Sequence, residues 1–134
     1  MQELRELPKQ SEFFADVPDD PEYVENYLET LMAENVLKGV CNYDKKSFLL
    51  FTEVRPWYAN RIEIHEMILW VPERFRGART AYELIREFTS VALDLHPHSI
   101  HAGHTLDITE KERTLRLYEK AGYSRHHGGV ILRP

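Results

Sequence analysis

Cysteine is nearly absent from this chain. Of 134 residues only Cys41 carries a thiol, so no intramolecular disulfide can form and no site made of cysteines alone can hold zinc. A lone thiol fits a reducing compartment, and a cytoplasmic protein is the expectation. Long apolar runs are missing as well. No uncharged stretch approaches the ~20 residues a membrane span needs, and Met1-Gln2-Glu3-Leu4-Arg5-Glu6 shows no basic segment leading into an apolar one. Neither membrane association nor export is expected. Positive charge is not in excess: 17 Lys and Arg against 22 Asp and Glu leave −5, the wrong sign for a surface that neutralises nucleic-acid phosphates. Repeats and low-complexity tracts are absent. What remains is an ordinary balance of 43% hydrophobic and 29% charged residues, which implies one domain over residues 1–134, folding as a monomer or homodimer.

The first helix signal is Asp19-Asp20-Pro21-Glu22, where an aspartate can cap free amides and proline suits the first turn. Val24, Tyr27, Leu28 and Leu31 then share one face of a helix from near residue 21 to about Glu34, preceded by a loop over 8–18. From Val36 to Val71 short β-branched and apolar runs predict three antiparallel strands at about 36–42, 47–54 and 62–71. Ala81, Leu84, Ile85, Phe88, Val91, Ala92 and Leu95 repeat with helical period until His96-Pro97. A short strand over 99–104, a helix over 111–121 stopped by Gly122, and a terminal strand pair over 123–132 complete the pattern. The fold class is α/β with a mixed central sheet.

A strand that enters a turn and then a helix presents free backbone N–H groups and the positive end of a helix dipole to one point in space, which makes an anion site. Residues 62–71, the turn Arg76-Gly77-Ala78-Arg79-Thr80-Ala81 and the helix after it form such a unit, and Arg74, Arg76 and Arg79 add charge suited to phosphates. Many such units bind nothing, so a solvated arginine-rich turn is the plain alternative.

Leu69-Trp70-Val71-Pro72, that turn, Leu84-Ile85 and the segment Leu117-Tyr118-Glu119-Lys120-Ala121-Gly122-Tyr123 resemble the acetyl-coenzyme A motifs of the GCN5-related N-acetyltransferases. The resemblance covers residues 36–126, and the small acetyltransferase-like proteins of tailed phages are similar in compactness. It implies a mostly antiparallel central sheet flanked by helices, with the strand, pyrophosphate turn and helix at its core. The turn matches at Arg76 and Ala81 and departs at Arg79, where the family has glycine. The last helix carries Lys111 and Thr114 where the family usually has Asn and Ala.

The implied activity is transfer of an acetyl group from acetyl-coenzyme A to an amine, either a small molecule or a protein, by direct attack and without a metal. The resemblance assigns the coenzyme to Leu69, Trp70, Val71, Arg76, Gly77, Ala78, Arg79, Thr80 and Ala81. Aminolysis of a thioester needs a base for the amine and an acid for the leaving thiolate. By resemblance Tyr118 is the acid, and a phenol is a donor at neutral pH. Family bases often stand four residues before the position of Leu69, which is His65, and an unperturbed imidazole titrating near ~6.5 can take a proton. Strand alternation predicts Glu63, His65, Met67, Leu69 and Val71 on one face, so Glu63 is the neighbour of His65. A strand histidine merely facing solvent is the alternative. Arginine at 79 cannot cheaply supply the positive φ of a glycine turn, so its N–H is expected to stay in the cradle while its guanidinium reaches a phosphate.

Other clusters invite other readings. His96, His98, His101 and His104 lie close, but their spacing matches no helical ligand pair and Pro97 breaks strand alternation, so no metal is expected. His126-His127 gives still less. Cys41 has no local base and reads as a small buried hydrophobe. Trp57 and Tyr58 either shape an acceptor pocket or pack on the sheet, and Lys111-Glu112-Arg113 reads as a solvated helix face. Two functions of other classes fit the same chain. One is a catalytically silent binding protein on this fold, for which the coenzyme should bind weakly or not at all. The other is a protein that modulates a partner enzyme, for which a stable complex without turnover is expected.

Overall fold

The β-branched and aromatic runs between Leu37 and Trp70 build the meander expected of them. In this computed structural model, which describes Asn26, Glu29, Thr30 and residues 32–34, 36–103 and 108–134, strands β1 (Leu37–Asn42), β2 (Ser47–Val54) and β3 (Glu63–Trp70) pair antiparallel. Helix α1 (Ala78–Leu93) returns the chain to β4 (Ser99–Ala102), which pairs parallel with β3. Helix α2 (Ile108–Lys120) leads to the hairpin of β5 (Ser124–His126) and β6 (Gly129–Leu132), giving one sheet of order β1-β2-β3-β4-β6-β5. The expected α/β class with a mixed, mostly antiparallel sheet is the observed one. Of the helix expected from residue 21, Asn26, Glu29, Thr30, Met32 and Ala33 are described and helical; its apolar positions and the loop over 8–18 lie outside the described residues. Among the described residues no helix is long and apolar enough to cross a membrane.

Each turn has a local cause. His127 (φ 45°) and Gly128 (φ 80°) both take positive φ, the requirement of the two-residue type I′ loop between β5 and β6. Helix α2 stops in a Schellman cap: Gly122, at φ 107°, donates to the Glu119 carbonyl and Tyr123 donates to the Tyr118 carbonyl. The same cap brings the Tyr123 ring within 5.1 Å of the Tyr118 ring. This is the physical content of the Leu-Tyr-Glu-Lys-Ala-Gly-Tyr segment.

The alternation expected along β3 fails at one residue. Phe51 pairs with Glu66 and Leu50 pairs with Ile68, so Met67 is an extra residue in a β-bulge. Paired residues share a face. Ile64, Glu66 and Leu69 therefore share the face of Leu49 and Phe51, while Glu63, His65, Ile68 and Trp70 look to the other side. Leu69 does not share a face with His65 and Glu63, because the bulge shifts the period by one. Leu84, Ile85 and Phe88 of α1 and Leu115 and Tyr118 of α2 close the main core over the first face, and Leu37, Leu50, Phe48 and Ile68 form a smaller cluster on the second. Cys41, expected inside, is exposed. It pairs with Phe48, whose face is the second one.

Candidate active site

Pairing of β3 with β4 covers three residues only, Glu63 to His65 against Ser99 to His101, although β3 runs on to Trp70. Where the ladder ends, the Gly103 N–H is taken by the Glu66 carboxylate at 2.9 Å. Among the described residues the β3–β4 ladder thus ends beside a buried carboxylate. Glu66 Oε1 and the Tyr118 hydroxyl are both buried, and neither finds a hydrogen-bond partner among the described residues. Such orphans are costly to leave in a core, so they mark a place shaped for something else. Burial raises the Glu66 carboxyl to about 7, against the pull of the Gly103 N–H. Burial likewise lifts the Tyr118 phenol well above its usual value, and the charge of Glu66 and the neighbouring Tyr123 add to the effect. Tyr118 therefore holds its proton.

On the second face β3 and β4 bring a different group together. Glu63 Oε1 lies 3.2 Å from His65 Nε2 and 3.6 Å from His101 Nε2, and the two imidazoles stack at 4.6 Å. Arg61 donates to the other oxygen of Glu63 through Nε at 3.0 Å, with its NH2 group at 2.9 Å. Burial acts to raise the Glu63 carboxyl, but the hydrogen bonds from His65 and Arg61 and the charges of Arg61 and His101 outweigh it and hold the group below its usual range. Glu63 is thus an anion facing a half-exposed His65.

The turn between β3 and α1 is a 3₁₀ segment, Glu73–Phe75. Gly77 stands at the N-cap of α1, where no side chain caps the free amides and no acidic residue occupies the first turn. A Cβ on Gly77 would meet no atom within 4 Å, so the space in front of these amides is open. Arg76 donates from Nε to the Val71 carbonyl at 3.0 Å and lies over the Trp70 ring, 5.2 Å from its centroid. Trp70 is buried with its Nε1 unpartnered among the described residues. Lys45, from the β1–β2 turn, donates to the buried Thr80 hydroxyl at 3.3 Å. Arg79 sits in the first turn of α1 and is not among the residues with positive φ, so arginine there costs no strain. Its guanidinium is exposed and paired with Glu83 at 3.1 Å. Ala78 opens the helix, Ala81 and Leu69 are half-buried against the main core, and Val71 is part of it.

The positions singled out from sequence fall into three groups. Leu69 and Val71 flank the parting strands with Tyr118, Glu63 and His65 meet on the opposite face, and Arg76 to Ala81 form the uncapped turn. Two partners escaped sequence reasoning. Glu66 could have been found as the one carboxylate in the apolar row of β3, and His101 needs the parallel pairing of β4 to reach His65. His104 lies outside the described residues, and His96 and His98 do not join the cluster around Glu63.

In sequence the chain matches no family model and no curated protein. Solved structures do match. A probable acetyltransferase superposes with a TM-score of 0.70 at 14% identity, over 95% of this chain and 87% of that one. The spermidine N-acetyltransferase of Vibrio cholerae in complex with CoA and spermine gives 0.66 at 14% identity, over 96% and 82%. The NatC complex bound to Gag peptide and CoA gives 0.64 at 17% identity, over 100% and 92%. This is the GCN5-related acetyltransferase fold. Within the acetyltransferase fold, the residues present suit coenzyme A in two ways visible here: uncapped amides at the start of α1 for phosphate, and, where the β3–β4 ladder ends, buried polar groups without a hydrogen-bond partner among the described residues.

Proposed function

We propose that this protein transfers an acetyl group from acetyl-coenzyme A to a primary amine. The observation that carries the proposal is the orphaned pair Glu66 and Tyr118, set where β3 leaves β4. The bound coenzyme supplies an activated thioester. The amides of Gly77 to Ala81 receive its phosphates, and the side of β3 just past the end of the β4 ladder receives the amide-bearing arm. Leu69, Trp70 and Val71 line that approach.

On the acceptor side His65 accepts the proton of the attacking amine at Nδ1, and Glu63, held by Arg61, orients the ring by accepting from Nε2. On the thioester side the Tyr118 hydroxyl gives its proton to the departing sulfur. Glu66 pins the end of β4 through Gly103 and offers at its free oxygen a second proton acceptor that titrates near neutrality. Neighbours of this fold act on spermidine or bind a peptide together with CoA, and an amine acceptor agrees with both. Arg79 contributes its backbone N–H, while its guanidinium stays with Glu83 unless the phosphates draw it away.

Acetyl-coenzyme A should raise the melting temperature, because a ligand at 100 times its dissociation constant adds ~2.7 kcal/mol to the native state. Saturating coenzyme without a shift, together with a blank calorimetric titration, rejects the proposal in favour of a silent protein on the same fold.

A further inference from the structure

The cluster on the second face of the sheet has the composition and spacing of a metal site. Glu63, His65 and His101 each offer one ligand atom, and the three atoms lie within 4.8 Å of one another. A tetrahedral ion with bonds of about 2.0–2.1 Å sets its ligand atoms ~3.3 Å apart. Glu63 Oε1 already lies 3.2 Å from His65 Nε2 and 3.6 Å from His101 Nε2. The third edge lies within 4.8 Å, and the two imidazoles, now stacked at 22°, must turn so that their lone pairs converge on one point. We propose that Glu63, His65 and His101 bind one divalent ion of the zinc class.

Three features of the surroundings favour this. Two imidazoles and one carboxylate form a ligand set that suits zinc and leaves a fourth position open. That position faces outward beside His65, whose side chain is 40% exposed, so the ion has a way in. The strands fix the donors: Glu63 pairs with Ser99 and His65 with His101 in the parallel ladder, so all three come from alternate rungs on one face of the sheet. Arg61 grips the second oxygen of Glu63 and leaves Oε1 for the metal, in the manner of an outer partner that orients a ligand. The ion must displace the Ser99 hydroxyl, which lies 2.9 Å from His101 Nε2.

Metal binding stands on this geometry alone. One consequence rests on the acetyl-transfer reading: an ion that holds the His65 lone pair removes the proposed base, so zinc would inhibit transfer.

The test is a titration of chelator-treated protein with zinc chloride against a chromophoric competitor, with melting curves recorded on the metal-free samples. The parent protein should bind one ion, and cobalt chloride should give the intense visible bands of a four-coordinate site. His65→Ala, His101→Ala and Glu63→Gln should each weaken binding by tenfold or more, while His126→Ala leaves it unchanged. The melting curves separate lost ligands from lost fold. Absent binding in folded parent protein overturns the proposal, as does zinc affinity unaffected by His65→Ala and His101→Ala. Loss in His126→Ala equal to that in His101→Ala would move the site to the terminal hairpin and overturn it too. Transfer activity enters none of these outcomes, so failure here leaves the acetyltransferase reading untouched.

Discussion

Glu63 and Glu66 stand three residues apart on β3, and both are buried, yet their surroundings drive them in opposite directions. Glu63 looks to the second face, where Arg61 and two histidines hold it as an anion. Glu66 looks to the helices, where a single backbone N–H is its partner and burial lifts its carboxyl to about 7. One strand therefore carries an ion-paired carboxylate on one side and a carboxyl poised to change charge near neutral pH on the other. Two carboxyl groups with separated affinities for protons can serve different roles in one site.

The largest test of this division is Tyr118→Phe, which removes from the Glu66 side the hydroxyl proposed as proton donor. Turnover should fall by ~10²–10⁴ while coenzyme affinity hardly moves. Because that hydroxyl is buried without a partner among the described residues, its loss should leave the melting temperature unchanged or raised. A variant as fast as the parent would break the comparison at its catalytic end.

The second test reads the carboxylates through pH. Folded Glu66 holds its proton up to about 7 and an ordinary carboxyl only to about 4.5, so between these values the folded chain binds the extra proton and stability falls as pH rises. The loss amounts to roughly 3 kcal/mol, and Glu66→Gln should abolish it. Glu63, held low, contributes stability that is present above about 4.5 and disappears as pH falls through its lowered folded value. Denaturation curves should thus differ from the parent with opposite slopes, those of Glu66→Gln between about pH 4.5 and 7 and those of Glu63→Gln below about 4.5. The acid limb of the rate profile sharpens the contrast further. It should flatten in His65→Ala if the second face supplies the base, and in Glu66→Gln if the first face does.

The smallest effect belongs to Arg79. Its pair with Glu83 is exposed and spans one helical turn, so Arg79→Ala should cost at most about 0.5 kcal/mol of stability. Coenzyme affinity should drop less than tenfold, since the backbone N–H stays in place. A hundredfold drop would show that the guanidinium leaves Glu83 for a phosphate.

Much of this molecule was legible from local rules. The expected strands at 36–42, 47–54 and 62–71 meet the observed ones to within a residue at each end, because short β-branched runs and turn residues decide those boundaries locally. The helix from Ala78 was readable from its apolar spacing, and the cap at Gly122 from the residue itself. Met67 was not. A bulge depends on how a neighbouring strand is met, and period-2 counting through it placed Leu69 with His65 when the sheet separates them. Of the candidate site, Tyr118 and His65 were named through family resemblance, Glu63 through strand alternation, and the turn through its place between strand and helix with its arginines. Glu66 was passed over because alternation put it on the face opposite His65, and His101 because its neighbour is 36 residues away in sequence.

The bulge at Met67 also separates what this strand needs in order to fold from what it carries besides. A chain lacking Met67 would pair Glu66 with Phe51 and Ile68 with Leu50 in unbroken alternation, and every other β3 side chain would keep its present face. The core would lose no member, since Met67 belongs only to the rim of the smaller cluster. Packing therefore does not require the extra residue. It lies just past the last β3–β4 pair, and a bulge adds local twist and bends its strand, so the extra residue works on the shape of β3 beside the buried carboxylate rather than on the core.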